Sequence, residues 1–223
     1  TTTAPIKVLD AKKVILTLAD NTTNTITDSS RLSTEEDYSA AIYSKEDLII
    51  NGNGTLNVNA GYRNGIKSTD DCIIVSGTLI ITSTEDGIIG KDLCGIVAGD
   101  ININAGSDGI KSTYDTDTTK GNVIIEGGNI TIKASNDGIQ AENILVINDG
   151  TINIKTNNGA ADTTQTHIDN MDMGRGGFGF NNNKTTTTTD DTSESRKGIK
   201  AGNMLIINDG DITIDSDDDS VHC

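Results

Sequence analysis

Residues 64–113 read NGIKSTDDCIIVSGTLIITSTE, then DGIIGKDLCGIVAGDININAGS, then DGIKST. Gly65, Gly87 and Gly109 fall 22 residues apart, and most of what surrounds them returns at the same interval. Self-similarity at a fixed period of this length marks a stacked repeat, in which one unit cannot bury its own apolar face. The repeat continues in both directions. Gly109 to Gly138 is 29, which is 22 plus the seven residues 114–120. Gly138 to Gly198 is 60, or 22 plus a polar surplus near 156–195. Upstream, AIYS at 41–44 precedes GIKS at 65–68 by 24, and downstream Ser220 falls 22 after Gly198.

Aligned by period, the apolar residues form five columns. The first holds Ile66, Ile88, Ile110, Ile139, Ile199 and Val221, and the second Cys72, Cys94, Val123, Leu145 and Leu205. Ile74, Ile96, Ile125, Ile147 and Ile207 make the third. Leu79, Ile101, Ile130, Ile152 and Ile212 make the fourth, and Ile81, Ile103, Ile132, Ile154 and Ile214 the fifth. Polar residues alternate with them, the period-2 pattern of half-buried strands, and Gly, Asn and Asp break the runs. No stretch carries a 3.6-residue apolar stripe. A leucine-rich repeat needs a leucine framework and a helical half, and calcium-binding nonapeptide rolls need a nine-residue period. Three short strands per 22-residue turn predict an all-β, right-handed parallel β-helix of about six to seven coils, its hand the usual one for parallel crossovers.

One elongated domain accounts for all 223 residues, with one proline, no tryptophan and 34% hydrophobic content. Residues 1–37 read as a leader and an N-terminal cap, with VILTL at 14–18 as an edge strand and 21–37 as a polar loop. Coils then run over 38–223, with insertions near 114–120 and 156–195. The larger insertion holds both phenylalanines, Phe178 and Phe180; it reads as a loosely packed loop or as a flap over a ligand. No apolar run is long enough to span a membrane. A net charge of −16 argues against nucleic acid or an anionic membrane surface as partner. Cys72 and Cys94, one coil apart in an inward column, fit either a disulfide or two stacked thiols.

Chemistry concentrates at the turns. Immediately before the repeated glycine stand Asn64, Asp86, Asp108, Asp137, Lys197 and Asp219, with Glu85 beside Asp86. Unit charges about 5 Å apart repel by roughly 3 kcal/mol at an effective dielectric of 20. Stacked aspartates therefore call for water, raised pKa values or a cation, and hard oxygen ligands favour calcium. Asp70, Asp71 and Asp92 form a second acidic corner and join Asp86, Asp108, Asp137 and Glu85 as candidate ligands. The alternative is turn chemistry alone, with Asp bonding backbone and Gly taking a positive φ. Lys67, Lys111 and Lys200 follow the inward isoleucines and point outward. With Arg63 and Tyr62 they offer a face for an acidic sugar chain.

The segments AAIYSKEDLIINGNGTL, DGIKS and RKGIKAGN resemble the carbohydrate-binding right-handed β-helix proteins of cellulolytic clostridia, over roughly residues 40–221. The resemblance implies a pectate-lyase-like fold with calcium at coil corners, and an exported or cell-surface protein that binds polygalacturonate and cellulose of plant cell walls. The matching turn positions are Asp86, Asp108 and Asp137. Two functions fit: a monomeric, non-catalytic module for acidic polysaccharide, and a calcium-dependent lyase with Arg63, Arg196 or Lys111 as base. A structural surface spike is a third. Aromatics make up only 3% of the chain, so a flat aromatic platform for crystalline cellulose is poorly supplied.

Overall fold

The computed structural model describes residues 4–29, 38–157, 159 and 195–223. Among the described residues, seven coils each contribute one strand to each of three parallel sheets, and an eighth strand joins the first sheet. In the third coil these strands are Asn64–Ser68, Asp71–Ile74 and Thr78–Ser83. The last coil adds Ile199–Ala201, Met204–Ile207 and Asp211–Asp215, and Val221–His222 opens an eighth. The chain is a right-handed parallel β-helix.

Through the sixth coil the five apolar columns are the core, and towards the C-terminal end they open, with Ile207 and Val221 exposed. Ile66 pairs with Ile88, Ile88 with Ile110, Ile110 with Ile139 and Ile139 with Ile199, and all five are fully buried. Stacking is forced by the alternation, because shifting any strand by one residue would turn its isoleucines to solvent. At about 1.5–3 kcal/mol per buried side chain, such columns hold a solenoid that has no globular centre. Cys72 and Cys94 are register partners and both are free, buried thiols, so they form no disulfide.

One expectation about the N-terminal end needs correction. Residues 6–28 form a complete first coil at the end of the three sheets, so Thr23–Asp28 is a strand and not part of a loop. The coil's strands Ile6–Val8, Val14–Leu18 and Thr23–Asp28 pair in register with the second coil, Ile6 with Ile42, Leu16 with Ile50 and Ile26 with Val58. Residues 30–37 and the larger insertion, with Phe178 and Phe180, lie outside the described residues. The seven-residue insertion does bulge from a corner, between the first and second sheets, and the strands on either side stay in register.

The glycines of the repeated Asp-Gly turns also act differently from a positive-φ turn. Gly65, Gly87, Gly109, Gly138 and Gly198 are absent from the left-handed region. A Cβ at Gly109 would sit 2.4 Å from Ile132 Cγ2 and 2.5 Å from the Gly138 carbonyl oxygen. Close approach between coils, not backbone conformation, requires glycine there.

Candidate functional site

The Asp-Gly aspartates form a hydrogen-bonded ladder along one corner. Asn64 Oδ1 accepts the Asp86 N–H at 3.0 Å, and Asp86 Oδ1 accepts the Asp108 N–H at 3.0 Å. Asp108 Oδ1 accepts from Asp137 at 2.9 Å, and Asp137 Oδ1 from Lys197 at 2.7 Å. The second oxygens of two rungs take lysines. Lys111 Nζ lies 2.6 Å from Asp108 Oδ2, and Lys200 Nζ lies 3.5 Å from Asp137 Oδ2. Burial pushes the Asp108 carboxyl up, although Lys111 pulls against it. Burial would likewise lower the Lys111 ammonium, but the Asp108 charge holds it above its ordinary value.

These contacts give Asp86, Asp108 and Asp137 a backbone role, and Asp108 and Asp137 have both oxygens engaged. Glu85 pairs with Arg63 at 3.7 Å on the surface, and Arg63 rests 5.7 Å from the Tyr62 ring centroid. Lys67, Lys111 and Lys200 do share one outward column, with Ile89 and Gln140 between them. Lys111 and Lys200 are committed to the ladder, and Lys67 donates to Ser39 Oγ at 3.2 Å. Burial lowers the Lys67 ammonium despite the nearby Asp86.

The second acidic corner has a different geometry. Register places Asp47 of the second coil beside Asp71, and Asp92 of the fourth coil beside Asp70. Carboxylate oxygens of Asp47, Asp70 and Asp71 lie within 4.8 Å of one another. Asp92 is 8% exposed; its Oδ2 accepts from Lys120, while its Oδ1 is buried and has no hydrogen-bond partner among the described residues. Burial, the facing Asp92 carboxyl and the charges of Asp47, Asp92 and Asp71 push Asp70 up to about 6. Burial and then Asp47 and Asp92 push Asp71 up as well. A cleft of about 410 Å³ opens beside them, walled by Lys120 and floored by Leu93 and Ile124.

Crowded carboxylates with raised pKa values and one orphaned buried oxygen suit a hard cation with oxygen ligands. Of the seven candidate ligands, Asp70, Asp71 and Asp92 line this cleft, Asp86, Asp108 and Asp137 stand in the backbone ladder, and Glu85 pairs with Arg63. Asp47 was missed. Its signal lay in KEDL at 45–48, where Leu48 shares the Cys72 column and so sets Asp47 level with Asp71.

A family model described as carbohydrate-binding domain-containing protein matches residues 1–223. A relative from Acetivibrio thermocellus with the same description is 39% identical over 85 residues, covering 36% of this chain. The match spans 30% of that relative's length. A solved structure, described as a polysaccharide lyase-like protein from C. thermocellum in a gadolinium derivative, superposes with a TM-score of 0.73. Identity there is 29%, over 95% of this chain and 73% of that one.

Proposed function

The chain belongs to the carbohydrate-binding domain-containing family, and we propose that it holds an acidic polysaccharide through calcium at the second acidic corner, without cleaving it. The observation that carries this reading is the grouping of Asp47, Asp70 and Asp71 carboxylates from two successive coils beside a cleft that Asp70, Asp71 and Asp92 line, with an Asp92 oxygen buried and without a hydrogen-bond partner among the described residues. Asp47, Asp70 and Asp71 would hold the ion, with Asp92 beside them. Calcium there supplies positive charge that protein and sugar carboxylates can share. That local bridge acts within a Debye length, whereas the charges farther off that make up the net −16 are largely screened. A protein with this ligand works outside the cell, on plant cell-wall polymer.

The test is retention on polygalacturonate, with calcium and with chelator, alongside absorbance from unsaturated ends. Wild type is expected to be retained only with calcium, and Asp70→Asn/Asp71→Asn to be released in both conditions, with no product formed. Retention indifferent to both treatments would sink the proposal.

The raised carboxylates give a second check. Asp70 moves from 3.8 to about 6 in the metal-free fold. A raised folded pKa contributes stability that is full below the unfolded value and lost as pH rises through the folded one. Calcium replaces the proton and removes that loss. The gain in melting temperature on adding calcium should therefore grow as pH rises from about 4 through about 6. Calorimetric scans across that window check it, and a pH-independent gain would count against the site.

Two observations favour lyase activity as a second reading. Lys67 is held below its ordinary pKa by burial, which suits a lysine acting as general base, and the solved neighbour is described as lyase-like. Unsaturated product formed by wild type and lost in Lys67→Met would decide for it.

A further inference from the structure

The seven-residue insertion delivers one charged group into the acidic cleft and fixes its backbone there. Asp117 Oδ1 accepts from the Thr119 N–H at 2.9 Å and its hydroxyl at 2.7 Å, and the Lys120 N–H donates to Asp117 O at 3.0 Å. Asn143 Nδ2 donates to the Lys120 carbonyl at 3.1 Å and also to Thr118 O. Lys120 is therefore presented from a braced loop, not from a free tip. Its ammonium binds Asp92 Oδ2 and lies 5.0 Å from the Tyr114 ring centroid. Lys91 approaches the same ring at 4.7 Å.

Asp92 is thus half neutralised. One oxygen has Lys120, while the other is buried and has no hydrogen-bond partner among the described residues. A divalent cation among Asp47, Asp70 and Asp71 would compete for Asp92 and repel the Lys120 ammonium. The Lys120 end of the pair is 41% exposed and the Asp92 end 11%, so the ammonium can leave into water only as the cation takes over the buried Asp92 charge. A displaced Lys120 keeps the Tyr114 face as a resting place and still borders the cleft floored by Leu93 and Ile124. Aliphatic side chains accept the C–H face of a sugar ring, and the ammonium accepts its carboxylate.

We propose that Lys120 is a displaceable counter-ion: it neutralises Asp92 while the acidic cluster holds no divalent cation, and on cation binding turns to the carboxylate of a uronate seated on Leu93 and Ile124. This rests on the calcium reading of the same corner. The experiment is calorimetric calcium titration of wild type, Lys120→Gln and Lys91→Gln, followed by polygalacturonate retention at saturating calcium. Lys91→Gln removes the same charge from the other approach to the Tyr114 ring. Lys120→Gln is expected to bind calcium about threefold more tightly, yet to retain the polymer roughly tenfold more weakly. Lys91→Gln should do neither. Calcium affinity equal in wild type and Lys120→Gln overturns the counter-ion role while leaving the calcium site standing. Undiminished retention by Lys120→Gln overturns the carboxylate role. No calcium uptake by wild type overturns this proposal and the calcium reading together.

Discussion

Asp108→Ala is expected to cost about 3 kcal/mol of stability, by the same amount in calcium and in chelator. The side chain is 5% exposed, accepts the Asp137 N–H at 2.9 Å and pairs with Lys111 at 2.6 Å. Alanine leaves a backbone donor and a half-buried ammonium without their partner, and the penalty for such orphans exceeds the net worth of the bonds themselves. At this chain length the loss is about 6–12 °C in melting temperature. Asp108→Asn keeps an oxygen for the Asp137 N–H and should lose roughly half as much, since only the charge facing Lys111 is gone. Thermal scans in both buffers decide the matter. A loss confined to calcium buffer would return Asp108 to the ligand set and refute its role in the backbone ladder.

Gly109→Ala is expected to be as damaging, at about 3 kcal/mol, although it adds a single methyl. That methyl would meet Ile132 Cγ2 at 2.4 Å and the Gly138 carbonyl oxygen at 2.5 Å. The side chain belongs to the core and the carbonyl to the ladder between coils, so neither can retreat without cost. Gly127→Ala is the matched control, because its nearest neighbour is the Val97 carbonyl oxygen at 3.6 Å. It should stay within about 0.5 kcal/mol of wild type. Denaturant midpoints of the two variants provide the comparison, and a harmless Gly109→Ala would refute the close-approach explanation.

The fold was legible because a solenoid writes its core as columns. Identical inward residues recur at the coil length, and the alternation around them fixes which face is buried. The first coil escaped because Thr23–Asp28 carries a single inward isoleucine, Ile26, among Thr and Asn. The site was half legible for a related reason. Spacing tells on which coil an aspartate stands, but not whether its oxygens face a neighbour's N–H or an open cleft. Asp86, Asp108 and Asp70 therefore looked equivalent, and only the register of Asp47 against Asp71 and of Asp92 against Asp70 separates ladder from cluster. The role of the Asp-Gly glycines was hidden as well, since a repeated Asp-Gly reads the same whether φ or crowding demands it.

The paired core thiols make the solenoid its own stopwatch. Burial pushes the Cys94 thiol up to about 12 and raises Cys72 well above its ordinary value, and alkylating reagents attack the thiolate, not the thiol. Cys72 lies between Leu48 of the second coil and Cys94 of the fourth, so neither sulfur reacts until a neighbouring coil parts from its own, and their labelling rate measures how often the middle of the stack opens. Cys223 is exposed and reacts from the intact molecule, setting zero on the same trace. Because calcium at Asp47, Asp70 and Asp71 would clamp the second coil to the third, the sulfur in the third coil times the opening of that very joint.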